Sequence, residues 1–304
     1  MIKPPNQIGK LFVVFNPHAA FGKALKFLPK IEEAFKQKGI ETNIVQTKYP
    51  KHAIEIVSSL DFSEYAGIVV AGGDGSLFEV INGYFRNTSP KRIPVGIIPI
   101  GTGNAFVKDI NLKTNDYKEA INIIARNNPQ LTDVGEIITE TEKLYFLNVL
   151  GMGFITDVQE VGLKMKFLGN ISYTLGVLYQ IIFLNKYKLT LELDGKLTEG
   201  KNIFIEISNT RYTSNFLMAP KASFDDGYFD VTVLNPMPRL RMLAYFPSIF
   251  SGNHIYKKGI DCYKAKTIRV TTGKKKLLAP DGELTGNSPF EVNCLHKAVS
   301  IFRP

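Results

Sequence analysis

The stretch IVVAGGDGSLFEVINGY, residues 68–84, begins as an apolar run, breaks at its glycines and resumes with helical spacing. A short apolar run bounded by glycines is typical of a buried strand. Behind the break, Ser76 and Glu79 stand in the S-x-x-E spacing of a capping box, which predicts that a helix begins there. Neither the turn nor the cap explains Asp74. The stretch therefore predicts a strand, a glycine loop carrying one acid, and a helix.

Three neighbouring stretches repeat this order of strand, loop and helix. They are KLFVVFN before PKIEEAFKQKG, ETNIVQT before HAIEIVSSL, and IPVGIIPIG before YKEAINIIARN. Continuous apolar strands that alternate with helices predict a parallel sheet covered on both faces. We therefore expect an N-terminal α/β nucleotide-binding domain over residues 1–130.

Beyond residue 131 the apolar residues follow a period of two. Leu189, Leu191 and Leu193 precede an Asp194-Gly195 turn, and Ile203, Ile205 and Ile207 follow it. Later alternating runs are YFDVTVL, TIRVTT, FEVNC and AVSIF. This alternation is typical of strands with one buried face. The pattern predicts a C-terminal antiparallel, β-sandwich-like domain over residues 131–304, with one inserted helix around PRLRMLAYFPSIFSG. A chain of 304 residues is also long enough for two cores.

The composition gives a net charge of +9, from 37 basic and 28 acidic residues. This charge suits an anionic partner such as a nucleotide or an acidic membrane surface, although a solvated basic surface is the simpler alternative. The basic residues are dispersed and form no recognised nucleic-acid module, so no nucleic acid is expected as a partner. Unpaired Cys262 and Cys294 and the absence of a secretory signal predict a cytoplasmic location. Polar residues interrupt the apolar stretch 167–184, which predicts a buried helix.

Glycine-containing loops follow three of the predicted strands. Besides residues 72–76, they are the loop from Asn16-Pro17 and the loop GTGNAF from Gly101. Loops at the carboxyl ends of parallel strands form ligand crevices, and helix N-termini attract phosphate, although a glycine after a strand is usually just a turn. A carboxylate would repel phosphate unless a divalent cation stood between them. We therefore predict that Asp74 binds magnesium, directly or through water.

Six segments together carry a family resemblance. NPHAAFG, GGDGS, PIGTGNAF, NVLGMGFITDV, MAPKASFDDGYFDV and PDGE, in this order, resemble the motifs of the diacylglycerol kinase catalytic domain family, which includes bacterial lipid kinases and sphingosine kinases. GGDG alone is shared with phosphofructokinases and NAD kinases, whereas its combination with GTGN and DGE is specific. The resemblance implies an enzyme of lipid metabolism and phospholipid biosynthesis. Such an enzyme transfers the γ-phosphate of ATP, with Mg²⁺, to a diacylglycerol- or sphingosine-like hydroxyl.

The resemblance also implies which residues form the site, in a cleft between the two domains. Glu283 of PDGE would be the general base, although a plain hairpin acid is the alternative. Ser223, Asp226 and Tyr228 would bind a second magnesium ion, although DDG also fits a simple β-turn. The residues expected at ATP and its phosphates are Asn16, Pro17, Thr47, Gly72, Gly73, Asp74, Gly75, Ser76, Glu79, Gly101, Thr102, Gly103 and Asn104.

Two departures from the family pattern keep other functions open. Phe78 stands where many members have Asn or His, and Ala105 replaces the Asp of GTGND, which is closer to sphingosine kinases. The alternatives are a kinase for a soluble substrate such as NAD, or a nucleotide-binding regulatory protein with weak catalysis. The expected partners are ATP, a lipid alcohol and an anionic membrane surface contacted peripherally, with a homodimer as one option.

Overall fold

The computed structural model describes residues 8–154, 156–157 and 186–304. These residues form two compact units. The first holds the described residues up to Asp133 together with Lys297–Pro304, and the second covers Val134–His296. The chain passes from one unit to the other inside two strands, Pro129–Thr139 and Phe290–Phe302. The helix predicted within 167–184 lies outside the described residues.

A parallel sheet forms the core of the first unit. Its strands have the order β2-β1-β3-β4, and each neighbouring pair is parallel. β1, β3 and β4 are buried along their whole length, as expected for apolar runs in a sheet covered on both faces. The parallel sheet predicted from the sequence is therefore confirmed. The strands are β1 Leu11–Phe15, β2 Thr42–Gln46, β3 Gly67–Gly72 and β4 Val95–Pro99.

Helices connect these strands. In α1 the buried side chains are Ile31 and Phe35, one turn apart on one face. The end of the strand Phe290–Phe302, which is β17, also belongs to this unit, where Ile301 pairs in parallel with Val95. The helices are α1 Leu28–Gln37, α2 His52–Ser58, α3 Asp74–Arg86, α4 Ala105–Asp109 and α5 Tyr117–Ala125, with 3-10 turns at Lys23–Phe27 and Phe62–Glu64.

The second unit is built from antiparallel strands, as predicted. One sheet has the order β14-β13-β10-β7-β16. Elsewhere β15 pairs with β17 and β8, β8 with β9, β5 with β6, and β11 with β12. The strands are β5 Pro129–Thr139, β6 Lys143–Phe146, β7 Val149–Gly153, β8 Tyr187–Leu193, β9 Lys196–Asn202, β10 Phe204–Ser208, β11 Tyr212–Thr213, β12 Phe216–Leu217, β13 Phe229–Leu234, β14 Ile260–Ala265, β15 Thr267–Thr272, β16 Leu278–Pro280 and β17 Phe290–Phe302.

The inserted helix is also present. It is α6, Arg239–Tyr245, and 3-10 turns follow it at Phe246–Ile249 and Asn253–Tyr256. Within the described ranges, no helix has both the length and the apolar character needed to cross a membrane.

The Asp194-Gly195 turn closes a hairpin whose second strand the sequence did not reveal. Both residues have positive φ, 47° and 82°, and they join β8 to β9. β9 is exposed along nearly its whole length, so its polar sequence has no apolar alternation to detect. Ile205 and Ile207, which supply the alternation after the turn, lie instead in β10 of the five-stranded sheet.

Candidate active site

Four loops meet at one edge of the sheet in the first unit. Because β1 to β4 are parallel, their carboxyl ends lie on the same side, which is where ligands bind in open α/β sheets. These loops and the first two turns of α3 hold every site residue predicted for this unit. Asn16 and Pro17 follow β1, Thr47 follows β2, the GGDGS segment ends β3 and opens α3, and residues 101–104 follow β4.

Asn16 fastens the first loop to the third. Its side-chain amide donates to the Ser76 hydroxyl at 2.9 Å, and its side-chain oxygen accepts the His18 N–H at 2.9 Å. Its backbone N–H donates to the Ala71 carbonyl at 2.9 Å. Thr47 is buried, and its N–H donates to the Phe15 carbonyl at 2.9 Å. Asn16 and Thr47 therefore stabilise the loops at the carboxyl ends of the parallel strands.

The glycines of the third and fourth loops allow the two loops to touch through their backbones. A Cβ atom on Gly101 would lie 2.4 Å from the Cα of Gly73, and one on Gly73 would lie 2.7 Å from the Gly103 carbonyl. The Gly101 N–H donates to the Gly72 carbonyl at 2.9 Å. A side chain at Gly73 or Gly101 would push the loops apart. These glycines therefore do more than turn the chain.

Asp74 joins the two loops through its carboxylate. It is the first residue of α3, and both of its carboxylate oxygens accept the Ala105 N–H, at 2.9 and 3.0 Å. The Phe106 N–H also donates to this carboxylate. The sequence argument left Asp74 with no structural task. The structure corrects this, because Asp74 caps the start of α4.

Burial raises the pKa of Asp74, and three groups oppose this rise: the N–H groups of Ala105 and Phe106, and the charge of Lys108. Lys108 is subject to the reverse effect, since burial lowers its pKa and the charge of Asp74 raises it. The carboxylate therefore sits in a low-dielectric place with one cation near it. Such a group is well suited to attract a further cation.

The first turn of α3 leaves backbone donors open. An α-helix cannot pair its first N–H groups internally. Leu77 donates to the Gly73 carbonyl and Asp74 donates to the Gly103 carbonyl, each at 3.0 Å. The N–H groups of Gly75 and Ser76 make no hydrogen bond with any other residue in the described part of the chain. These two donors, next to Asp74, suit a bound anion.

Glu79 does not form the predicted capping box. α3 begins at Asp74 behind an N-cap at Gly73, so Ser76 is already inside the first turn and cannot be the cap. The Glu79 carboxylate instead accepts the N–H groups of Lys51 and Ala53, at 2.8 and 3.1 Å. It thus caps α2, a neighbour in space. The capping-box prediction was wrong because the spacing also fits an acid one turn into a helix.

The fourth loop is held by Asn104. Its side-chain amide donates to the Gly101 carbonyl at 2.7 Å and to the Thr114 hydroxyl at 3.3 Å. Thr102, which lies between Gly101 and Asn104 in the loop, is exposed. The two departures from the family pattern, Phe78 and Ala105, are both buried. Their side chains therefore pack in the interior of the first unit.

In the second unit, the PDGE segment forms a tight turn that carries Glu283. The Glu283 N–H donates to the Pro280 carbonyl at 2.8 Å, and the two central residues, Asp281 and Gly282, have φ of 47° and 86°. Positive φ at both central positions is the signature of a type I′ turn. Glu283, the last residue of this turn, is exposed.

Asp281 holds this turn in place, a role that the sequence reasoning missed. Its buried carboxylate accepts the N–H groups of Leu147, Asn148 and Val149, at 2.9, 2.8 and 3.0 Å. An acid with positive φ before glycine, in a motif with another acid, was the available signal. The donors lie more than 130 residues away in sequence, so spacing could not reveal them.

The turn predicted to bind a second magnesium ion has a lysine against it. Asp226 accepts the Tyr228 N–H at 3.0 Å and the Lys264 ammonium at 2.6 Å. The Ser223 hydroxyl donates to Asp225 at 2.7 Å. Lys264 also lies 3.7 Å from Asp230, whose pKa burial raises and Lys264 lowers. As they stand, these side chains give a carboxylate–ammonium pair. Among the described residues, no group of three or more His, Cys, Asp or Glu could hold a metal ion.

Two family models match this chain. The diacylglycerol kinase catalytic domain matches residues 10–137, and the YegS C-terminal NAD kinase beta sandwich-like domain matches residues 148–303. The second model spans more than half of the chain, so the chain belongs to the family with that domain, and its N-terminal part matches the diacylglycerol kinase catalytic domain. The resemblance drawn from the motifs is thereby confirmed, together with membership of a kinase family.

Curated relatives carry two different names at similar identity. The diacylglycerol kinase of Bacillus subtilis (strain 168) is 28% identical over 295 residues, which cover 96% of this chain and 95% of that protein. Sphingosine kinase 1 of Arabidopsis thaliana is 26% identical over 349 residues, which cover 96% of this chain and 72% of that protein. Identity therefore supports a lipid kinase family without separating the two lipid classes.

Solved structures show the same fold. The structure of a diacylglycerol kinase from Bacillus anthracis (strain Sterne) has a TM-score of 0.74 at 21% identity and covers 99% of this chain and 98% of its own. Another structure from that organism reaches a TM-score of 0.83 at 24% identity, covering 100% of this chain and 98% of its own. At these identities the likeness concerns the fold.

Proposed function

We propose that this protein is an Mg²⁺- and ATP-dependent lipid kinase that phosphorylates a lipid hydroxyl. The observation that carries the proposal is the edge of the first unit's sheet, where the open N–H groups of Gly75 and Ser76 adjoin the buried carboxylate of Asp74. Phosphates need such donors, and a carboxylate is tolerated beside them only when a cation neutralises the repulsion. Family membership supplies the reaction class.

The residues around α3 would position the nucleotide. Gly75 and Ser76 would donate to phosphate oxygens. The backbone contact between the loops at Gly73 and Gly101 would keep Asp74 at a fixed distance from those phosphates. We assign the other nucleotide contacts predicted from the resemblance, Asn16, Pro17, Thr47, Glu79 and Thr102, to the same edge. Much of catalysis in phosphoryl transfer is such positioning together with charge neutralisation.

Asp74 fits a magnesium ligand by its chemistry. Its two oxygens each keep a lone pair after accepting backbone N–H groups, and Mg²⁺ is commonly bound by one or two carboxylates and by substrate phosphates. Bound there, the cation would neutralise developing charge on the transferred phosphoryl group. The raised pKa of Asp74 would return toward its usual range, because a cation favours the charged form.

Glu283 would accept the proton of the lipid hydroxyl. As the O–H bond breaks, the alcohol oxygen forms a bond to the γ-phosphorus, and the bond from that phosphorus to the bridging oxygen breaks, releasing ADP. The type I′ turn and the three hydrogen bonds that the Asp281 carboxylate accepts would fix the direction of the Glu283 side chain. The proposal requires Glu283 and Asp74 to serve the same phosphoryl group.

A second magnesium site at Ser223, Asp226 and Tyr228 remains a proposal that carries a condition. Lys264 would have to leave Asp226, because an ammonium 2.6 Å from the carboxylate competes with a divalent cation. Without that movement the turn needs no metal, since the ammonium already balances the carboxylate charge. No step of the proposed reaction depends on this site.

The experiment that tests the proposal is a transfer assay with γ-labelled ATP and Mg²⁺. The acceptors are diacylglycerol, sphingosine and NAD, each presented separately, with Asp74→Asn as the inactive control. We expect a labelled lipid phosphate. Because Ala105 gives the loop the GNA form that is closer to sphingosine kinases, we expect more transfer to sphingosine than to diacylglycerol. Label in NAD alone, or in no acceptor, would overturn the proposal.

Two alternatives have specific support. A kinase acting on NAD is favoured by the second family model, whose description names NAD kinase. A regulatory protein that binds nucleotide with weak turnover is favoured by Phe78, because a buried phenyl ring replaces a polar residue of the family. ATP binding without transfer to any acceptor in the same assay would identify the second.

We further propose a cytoplasmic enzyme that meets its lipid at a membrane surface, either as a monomer or as a homodimer.

A further inference from the structure

The helical segment after β13 exposes apolar side chains along one side. α6 continues directly into the 3-10 turn Phe246–Ile249, and Phe250 is still helical in its dihedral angles. Leu240, Leu243, Pro247 and Phe250 follow one another at spacings of three, four and three residues, which places them on one side of a helix. Leu240 is 81% exposed, Leu243 39% and Phe250 54%, and Pro247 is exposed as well. We call these four residues the apolar stripe.

The opposite side of the same segment is already packed. Met242 is buried in an apolar cluster of the second unit, and Tyr245, Phe246 and Ile249 pack against that cluster. These four residues therefore anchor the segment, and of the stripe residues Phe250 also lies near the cluster, 5.0 Å from Phe216 between ring centres. Aromatic rings continue from the anchor to the stripe, since Phe250 lies 5.8 Å from Phe246 between ring centres. An apolar row that folding does not bury indicates an interaction surface.

The chain segment that carries the apolar stripe has charges of one sign. No Asp or Glu occurs from residue 231 to residue 260, whereas Arg239, Arg241, Lys257 and Lys258 do. The side chains of Arg239, Arg241 and Lys258 make no ion pair or hydrogen bond with another described residue. The Lys257 ammonium lies 5.8 Å from the ring centre of Tyr245, which places it beside α6. Arg269, on a strand of the same unit, is by contrast paired with Glu192 and Glu291.

We propose that the apolar stripe, with Arg239, Arg241 and Lys257 beside it, is a docking surface for an anionic phospholipid bilayer. The inference rests on the proposed lipid kinase function and deepens it by naming where the enzyme meets the membrane. Apolar side chains on one side of a helix with basic residues beside them are the arrangement of helices that lie in a bilayer interface. Basic residues gain affinity from anionic headgroups while the apolar ones enter the acyl boundary.

The charge pattern disfavours a second copy of the chain as the occupant. In a two-fold dimer the same patch would face itself, so the arginines of both copies would be brought together. Like charges at an interface oppose association unless acids lie between them, and the segment has none. A bilayer with anionic lipid supplies both the apolar layer and the missing negative charge.

The test is vesicle sedimentation without ATP and without any kinase substrate. We expect the protein to bind vesicles of phosphatidylcholine mixed with phosphatidylglycerol, and to bind phosphatidylcholine alone far more weakly. Leu240→Glu with Leu243→Glu should lower the partition into mixed vesicles by about tenfold or more. Arg239→Glu with Arg241→Glu should lower it by about fivefold for each charge lost, and raised salt should reduce that effect.

Matched controls lie on the β8–β9 hairpin of the same unit. Leu197 is 62% exposed there, so Leu197→Glu adds the same charge as the single change Leu240→Glu, to an exposed leucine outside the stripe. Lys196→Glu with Lys201→Glu makes the same change in net charge as the arginine pair. Both controls should bind mixed vesicles much as the unchanged protein does, apart from a small loss from net charge. Thermal unfolding of every variant should match the unchanged protein, because the side chains are exposed.

Three outcomes would overturn the docking surface. They are vesicle binding that the stripe variants retain, equal losses in the hairpin controls, or a homodimer that the stripe variants dissociate. Transfer of label to a short-chain acceptor dissolved as monomers tests the kinase separately, and the stripe variants should keep that activity. Failure of that transfer with intact vesicle binding would refute the function and leave the surface standing.

Discussion

Asp74 in the first unit and Asp281 in the second are both acids in a glycine motif, and both bind backbone N–H groups of a distant segment. They differ in what remains free. Asp281 is buried and accepts three N–H groups, which fill most of its capacity. Asp74 accepts the N–H groups at the start of α4, keeps lone pairs, and lies beside open donors on α3. An acid in a glycine motif can thus hold a turn or take part in the reaction. The number of carboxylate lone pairs that no hydrogen bond uses distinguishes the two roles.

The largest expected effect is that of Asp74→Asn. We expect turnover to fall by about 10³-fold or more, because the amide cannot bind the cation that neutralises the phosphates. We also expect a loss of about 1–2 kcal/mol in the free energy of unfolding, since the new NH₂ group faces an N–H donor at α4. Kinase assays and urea unfolding measure the two effects.

Asp116→Asn is the matched control for Asp74→Asn, because Asp116 caps α5 by accepting the Glu119 N–H at 3.1 Å. It should lose a similar amount of stability and keep its turnover. Near-normal turnover of Asp74→Asn at limiting magnesium would remove Asp74 from the chemistry and erase the contrast with Asp281.

Glu283→Gln should lower kcat by about 10² to 10⁴-fold, the usual value of a general base. The side chain keeps its size and loses its basicity, so ATP binding should be nearly unchanged. Calorimetry of ATP binding beside the kinase assay separates the two quantities. Glu199→Gln, on exposed β9, is the control, and an equal kcat for Glu283→Gln would show that another group takes the proton.

Asp281→Asn tests whether the second acid acts only through position. Its carboxylate satisfies three buried N–H groups, so we expect about 3 kcal/mol less stability. kcat should fall because the turn that carries Glu283 loosens, while the KM for ATP should stay the same. If the variant lost all turnover with full stability, Asp281 would contact the reactants, and the division of roles between the two acids would fail.

Glu206 extends the comparison to an acid whose carboxylate accepts from hydroxyl groups and from no backbone N–H of the described residues. Ser208 and Thr213 donate to one carboxylate oxygen, the other has no partner in the described part of the structure, and burial raises the pKa of Glu206 to about 7. From pH 4.5 to pH 7 the folded chain then holds a proton that the unfolded chain releases. The free energy of unfolding should therefore fall by about 3 kcal/mol as pH rises through that window.

Glu206→Gln should remove this dependence, because the amide is neutral at every pH. Urea unfolding at pH 5 and pH 8 compares the variant with the unchanged protein, and the variant should be relatively more stable at pH 8. Equal pH dependence of the two would show that the carboxyl is not strained by burial.

The smallest effect is expected for Asp226→Ala. Its pair with Lys264 is partly exposed, so its loss should change stability by less than about 1 kcal/mol. The melting temperature should respond to added magnesium equally with and without the change if Lys264 serves as the cation of this turn. A magnesium response that Asp226→Ala abolishes would instead establish the second metal site.

The sequence predicted the elements whose residues are neighbours in the chain. Buried runs gave β1, β3 and β4, and Asp194-Gly195 gave a hairpin, because periodicity and turn chemistry are local. The caps by Glu79 and Asp74 and the clamp of Asp281 were missed. In each, a side chain satisfies N–H groups of another segment, and such a contact leaves no periodic trace. Exposed β9 was missed because its pairing comes from the backbone alone.

The pairing of Ile301 with Val95 has a consequence for how the protein is made. Phe302 and Ile301 are buried, and the ring of Phe302 lies 3.0 Å from where a Cβ on Gly67 would stand. During synthesis, β4 therefore keeps an unpaired edge until Ile301, which lies far along the chain, has been made. A strand edge left open for that time can pair with other chains. Completion of the first unit therefore waits until residues 297–304 have been made, although its other strands precede the whole second unit in the chain.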